Sequence, residues 1–225
     1  MLVLALDSAL DACSAAVVET DGAAAEALAA ESRFMSRGHA EALLPLVREV
    51  MRAAGKSFRD LDRIAVTVGP GSFTGLRVGL AAARGLAFAA KRPAHGVTTL
   101  AALAAPVFRD GDGPVAAVLD VRRNEVCAQV FRAPGAPLGE PARLPLAEAA
   151  DRLPAGPVRL VGSGAPALAA LDPRFVPVAA DAAPDILWVA RLGARADAPT
   201  PPRAFYIRPP DAKPQDSSRI PRATP

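Results

Sequence analysis

Gly69-Pro70-Gly71-Ser72-Phe73-Thr74-Gly75-Leu76-Arg77-Val78-Gly79-Leu80-Ala81-Ala82-Ala83-Arg84-Gly85-Leu86-Ala87 decides how this chain is read. An apolar run, Ile64-Ala65-Val66-Thr67-Val68, precedes it and reads as a buried strand. An alanine-rich helical pattern follows. The stretch is thus strand, glycine-rich turn and helix start in one piece. Such a junction aims backbone N–H groups and a helix N-terminus at one spot, which suits anions. Two familiar nucleotide motifs are excluded. The Walker pattern needs Lys followed by Ser or Thr, and here Leu76-Arg77 follow the last glycine. The dinucleotide pattern G-x-G-x-x-G needs glycine at 74, which is threonine.

Outward from this junction, strands and helices alternate. Residues 2–6 and 13–19 read as a hairpin joined around Ser8 to Ala12. Residues 26–33 suit a third strand or, by propensity, a helix. Ala40, Leu43, Leu44, Val47, Val50, Met51 and Ala54 recur at helical spacing and predict an amphipathic helix over 39–54, with Gly55 at its C-terminal end. Pro45 lies inside it and predicts a kink or a broken first turn. Beyond the helix at 73–90, a short strand near 94–97 leads to Thr98 or Thr99 as N-cap of a helix at 100–108.

Arg109-Asp110-Gly111-Asp112-Gly113-Pro114 marks a boundary, giving a first lobe over 1–108 and a second over 109–208. In the second, 115–120 and 125–131 read as a hairpin, and 133–145 as a Pro/Gly-rich link. Strand 158–161 enters Gly162-Ser163-Gly164 and a helix to about 171, and a further helix spans 184–196. By pattern alone the class is α/β.

Composition narrows the classes. Half of the residues are apolar but few are aromatic, so the core is built from Ala, Val and Leu. Cys13 and Cys127 sit in apolar, strand-like surroundings without metal-ligand spacing, and read as reduced core cysteines. The formal charge of +3 resides after residue 202, where Arg203, Arg208, Lys213, Arg219 and Arg222 outnumber Asp211 and Asp216. The basic balance therefore belongs to a Pro-rich tail, 209–225, read as disordered, and not to a basic face. No basic region precedes the apolar N-terminus, and Arg77 and Arg84 interrupt the apolar helix, so a cytoplasmic protein without a membrane span is expected.

Catalytic constellations are sparse. His39 and Glu41 stand two apart on a helix and do not face one another, so no metal site is expected. A Ser-His-Asp triad could be assembled from Ser72 and His95. Yet Gly71-Ser72-Phe73-Thr74-Gly75 is G-S-x-x-G, not the G-x-S-x-G of a nucleophile elbow. Gly75, Gly79, Ala83 and Ala87, four apart, form a stripe of small side chains that lets another backbone come close, within this chain or from a partner.

The glycine junction resembles the GPGSFTGLR-VG signature of the TsaB (YeaZ) family. Leu4-Ala5-Leu6-Asp7-Ser8-Ala9, the block Ser36 to Pro45, Gly96-Val97-Thr98-Thr99-Leu100, Asp120-Val121-Arg122-Arg123-Asn124-Glu125-Val126 and Ala204-Phe205-Tyr206-Ile207-Arg208 are similar to further family blocks, in the family's order. The clear match covers 1–131 and thins between 132 and 200. The resemblance implies a duplicated actin/Hsp70-like (ASKHA) fold. It implies a non-catalytic subunit with no cofactor of its own, pairing with TsaD, and with itself when TsaD is absent. TsaD by resemblance transfers threonylcarbamoyl to N6 of adenosine 37 in ANN-decoding tRNAs. TsaE, an ATPase, is a second implied partner, and tRNA is met through the complex. TsaD binds its metal through H-x-x-x-H, whereas here Leu43 stands four after His39. The implied partner face lies on the first two helices: His39, Leu43, Leu44, Val47, Leu76, Arg77, Gly79, Leu80, Ala83, Arg84 and Ala87. Arg77 and Arg84, on one stripe, suit partner carboxylates or open solvent.

Actin-like folds hold a metal–nucleotide between an acid ending the first strand and glycine-rich turns. The weak equivalents are Asp7, Ser8, Gly162 and Gly164. The turn Ser8-Ala9-Leu10-Asp11-Ala12 has no glycine and no lysine. An independent actin-like ATPase, predicting ATP at these residues, and a peptidase reactive at Ser72 are the rival readings.

Overall fold

The computed structural model describes residues 1–21, 24–179, 183–195 and 201–207. The expected tail 209–225 and Arg208 lie outside the described residues. The first half builds β1 (Leu2–Asp7), β2 (Ala12–Thr20), β3 (Ala25–Phe34), α1 (His39–Ala53), β4 (Arg63–Gly69), α2 (Phe73–Ala90) and β5 (Ala94–Thr98). These strands form one sheet in the order β3-β2-β1-β4-β5, with β1 antiparallel to β2 and parallel to β4. β1 reads as an unbroken apolar run because both its faces are covered. Leu2, Leu4 and Leu6 pack with α1 and α2, while Val3 and Ala5 face the other side.

The ambiguous segment 26–33 is a strand. It pairs along β2 from Thr20 opposite Ala25 to Ala12 opposite Phe34, and that pairing overrides the helix propensity of its alanines. α1 runs through Pro45 as one helix. The proline is exposed, so water can satisfy the Glu41 carbonyl that it leaves without a donor. α3 (Thr99–Ala104) is capped by the Thr98 hydroxyl, which accepts from the Ala101 amide at 3.2 Å. It tightens into a 3-10 turn, Ala105–Asp110, where Pro106 lacks the N–H that an α-helix needs.

The second half repeats the plan with β6 (Val115–Asp120), β7 (Glu125–Ala133), β8 (Ala136–Pro137), β9 (Ala142–Pro145), α4 (Leu146–Arg152), β10 (Val158–Val161), α5 (Ala165–Ala169), β11 (Phe175–Ala179) and α6 (Ile186–Ala194). The sheet order is β11-β10-β6-β7-β8, with β9 also on β7. In each sheet an antiparallel hairpin is extended by two parallel crossover strands. This duplication is the actin-like (ASKHA) fold. The supposed link 133–145 holds β8 and β9.

The two halves exchange their last helices. α3 follows the first sheet, yet Leu100, Leu103 and Ala104 pack with Val115, Ala117, Leu119 and Val161 of the second. α6 follows the second sheet, yet Ile186, Val189 and Ala190 pack on Val3, Ala5, Val18 and Val97 of the first. Residues 201–207 also return to the first sheet, where the Phe205 amide donates to the Val68 carbonyl at 2.7 Å. Within the expected second lobe, 109–208, α6 packs on the first sheet, and residues 201–207 run from that sheet to Ile207 on the second sheet's cluster. Among the described residues no helix is long and apolar enough to cross a membrane.

Candidate functional site: a closed cleft and an outward helix pair

The glycine junction meets the turn after β1 backbone to backbone. The Ser72 amide donates to the Ala9 carbonyl at 2.7 Å, and the Ser72 hydroxyl caps α2 by accepting from the Gly75 amide at 3.3 Å. A Cβ on Gly71 would lie 2.3 Å from the Ala9 oxygen, and one on Gly75 would lie 2.0 Å from the Ser8 oxygen. A Cβ on Gly79 would lie 2.7 Å from the Ser8 Oγ, and the Ser8 hydroxyl itself donates to the Gly75 carbonyl at 2.9 Å. These glycines are required by close packing of α2 on its own chain. The Ser72 amide is turned to the Ala9 carbonyl and the Gly75 amide to the Ser72 hydroxyl.

Asp7 ends β1 beneath this contact and is fully buried. Its Oδ1 accepts from the Thr67 hydroxyl at 2.5 Å and the Ala9 amide at 3.1 Å, and its Oδ2 has no partner among the described residues. Burial pushes the carboxyl up to about 6, against the opposing pull of the Thr67 bond, the Ala9 bond and His39. His39, half-buried at the start of α1, donates from Nε2 to the Leu10 carbonyl at 3.0 Å and so pins the same turn.

Gly162 and Gly164 serve the second sheet in the same manner. A Cβ on Gly162 would lie 2.5 Å from the Val118 oxygen, and one on Gly164 would lie 2.8 Å from the Val118 side chain. The Ser163 hydroxyl accepts from the Asp120 amide at 3.1 Å. Between the lobes, Leu10, Val121 and Ile207 all pack on one apolar cluster. Of the weak nucleotide set, Asp7 and Ser8 are buried beside α2, and Gly162 and Gly164 lie against β6.

The expected partner face is largely core. Leu43, Val47, Leu76, Gly79, Leu80, Ala83 and Ala87 are all buried. The stripe of small residues faces the chain's own sheet. Arg84 donates from Nε to the Pro202 carbonyl at 3.1 Å, and Arg77 donates from Nε to the Tyr206 hydroxyl at 3.4 Å while its guanidinium stacks 3.7 Å from the Phe73 ring centroid. Both arginines hold residues 201–207. Leu44, 53% exposed, is the member of the set that presents apolar surface outward.

Apart from Leu44, the outward apolar face consists of residues outside the expected set. Phe73 is 50% exposed and Phe88 is 88% exposed, and Ala81 and Gly85 lie exposed between them on α2. α1 and α2 are both crossovers between strands of one direction, so they run parallel and side by side. Together they offer Leu44, Ala81, Gly85 and Phe88 to solvent. Phe73 and Phe88, the aromatic residues of α2, were the available signal.

The other candidates separate. Ser72 spends its hydroxyl on the α2 cap, and His95 is buried within β5, where burial and then Arg63 push it below the usual histidine range. No hydrogen bond joins them among the described residues. No group of three or more His, Cys, Asp or Glu that could hold a metal occurs among the described residues. Burial pushes the Cys13 thiol up to about 11 and the Cys127 thiol up to about 12, so both stay protonated and inert.

A protein-family model described as "TsaD: tRNA N6-adenosine threonylcarbamoyltransferase" matches residues 32–157, more than half of the chain. The solved structure of YeaZ from Pseudomonas aeruginosa superposes with a TM-score of 0.71 at 33% identity, covering 86% of this chain and 90% of that one. The chain belongs to the TsaB/YeaZ family. The Escherichia coli protein named "tRNA threonylcarbamoyladenosine biosynthesis protein TsaB" is 39% identical over 127 residues, 56% of this chain and 53% of the relative. The chain thus spans about half the length of that curated relative. An uncharacterized protein of Mycobacterium tuberculosis is 34% identical over 212 residues, 94% of each chain. Within this TsaB/YeaZ frame, the glycine junction and the outward helix pair both fall inside the matched 32–157.

Proposed function

We propose that this chain is a non-catalytic partner subunit in the synthesis of N6-threonylcarbamoyladenosine in tRNA. It pairs with a TsaD-type threonylcarbamoyltransferase and orders it. TsaE is a further member of the assembly, and tRNA is contacted through the complex. Without TsaD the same face serves a homodimer. The observation that carries the reading is the outward face of α1 and α2, where exposed Leu44 and Phe88 flank the small residues Ala81 and Gly85. Small residues let a partner helix approach closely, and flanking apolar side chains give it area to bury. A pair of parallel helices is half of a four-helix bundle, which a matching pair from the partner completes.

The test is light scattering after size exclusion, on this chain mixed with the TsaD-type protein of the same organism. Leu80 is core, so arginine there would report on folding; Ala81→Arg and Leu44→Arg are the informative variants. Each is expected to weaken the heterodimer by about 30-fold or more, as truncation at a buried interface centre does, with circular dichroism unchanged. Failure of the wild-type chain to form a complex with folded TsaD-type protein overturns the reading.

A further inference from the structure

Residues 201–207 lie in a groove made for them. Its floor is Gly69 at the end of β4 and Gly96 in the middle of β5: a Cβ on Gly69 would lie 2.4 Å from the Phe205 oxygen, while one on Gly96 would lie 2.5 Å from the Val68 side chain and 3.4 Å from the Pro202 side chain. The Phe205 amide donates to the Val68 carbonyl at 2.7 Å, as an added strand would. From the flank of α2, Arg84 reaches the Pro202 carbonyl with both Nε and Nη2. About two turns toward the start of α2, Arg77 stacks on Phe73 and donates to the Tyr206 hydroxyl, and the Tyr206 and Phe73 rings stand 5.3 Å apart. Ala204 packs on the core of the first lobe, and Ile207 on the cluster between the lobes.

This arrangement is recognition of an extended peptide: one main-chain bond, a guanidinium fork on a backbone carbonyl, an aromatic platform and an aliphatic anchor. We propose that the end of β4, the middle of β5 and the flank of α2 form a peptide-binding groove. Its ligand is an extended Pro-x-x-aromatic-aromatic-aliphatic segment, supplied in cis by Pro202-Arg203-Ala204-Phe205-Tyr206-Ile207. Arg77 and Arg84 are its clamps, which accounts for two arginines held on one stripe of an otherwise apolar helix. Tethering gives the segment an effective concentration in the millimolar range, so the groove is filled in the intact chain. The filled groove closes the ground between the lobes and lays Tyr206 beside the outward face of α2. The inference does not depend on which partner, if any, meets that face.

The test begins with the full chain. Residues 196–200 are replaced by a protease recognition sequence, the protein is folded, and it is then cut there. The C-terminal fragment is expected to co-elute with the body in size exclusion. Arg84→Ala sheds the fragment, and Gly139→Ala, on open surface away from α2, retains it. In the uncut chain, hydrogen exchange at the Phe205 amide is expected to be at least ten-fold slower than in an unfolded peptide, and fast in Arg84→Ala. Release of the wild-type fragment on cutting overturns the proposal. So does exchange of the uncut Phe205 amide at the unfolded-peptide rate, a measurement that holds even if the cut protein precipitates.

Discussion

Replacing Gly75 with alanine is expected to destabilise the fold by about 3 kcal/mol or more, while the same change at Gly85 stabilises it by about 0.5–1 kcal/mol. Both glycines lie within α2, so the gain in helix propensity is common to them. What differs is the space. A Cβ on Gly75 would sit 2.0 Å from the Ser8 carbonyl oxygen, and nothing lies within 4 Å of one on Gly85. The atom in the way is backbone, in the turn that directly follows β1, so α2 must tilt off the turn. That loosens the Ser8–Gly75 hydrogen bond and the Ser72–Ala9 bond together. Urea unfolding of the two variants beside wild type measures this, with the slope against urea held constant between them. Equal effects of the two substitutions would show that the junction yields, and that its glycines are not there for close approach.

The same glycines show how far a sequence can be read. Apolar strand, glycine turn and helix follow from local pattern, and the structure builds them at β4 and α2 within a residue or two. The spacing of Gly75, Gly79, Ala83 and Ala87 states that something comes close. It does not state what, because a stripe of small residues is the same pattern whether it faces a partner or Ser8 of its own chain. The outward stripe through Ala81 and Gly85 was hidden for a related reason: Arg77 and Arg84 lie on the same side of α2 and mark it as a solvated face, which masks the small residues between them. Arg77 and Arg84 were legible as a pair on one side. Their partners, Pro202 and Tyr206, lie more than a hundred residues away, and no local rule reaches that far. The exchange of α3 and α6 between lobes is likewise a property of the whole topology. Each helix looks locally like the end of its own half, and only the apolar far faces of both sheets require the crossing.

Asp7 carries the second large effect, and its sign is opposite to that of a paired carboxylate. Burial holds its carboxyl near 6, above the 3.8 it has when unfolded. The folded chain therefore keeps this proton to higher pH than the unfolded chain does. Stability from this group is fully present below the unfolded value and is lost as pH rises through about 6. Asp7→Asn keeps an acceptor for the Thr67 hydroxyl and the Ala9 amide while removing the charge. The advantage of the variant over wild type is expected to grow by about 2 kcal/mol between about pH 4.5 and about pH 7.5, and then to level off. Part of the absolute gain is offset because the new amide donors meet the site where Oδ2 now has no described partner. The change with pH is free of that offset, since the asparagine does not titrate. Urea midpoints of both proteins at the two pH values measure it. A gap that does not widen means the carboxyl ionises alike in both states, as it would if the turn over it were open to water. A widening gap means that the acid at the end of the first strand is sealed under α2, where no phosphate or metal from solution reaches it.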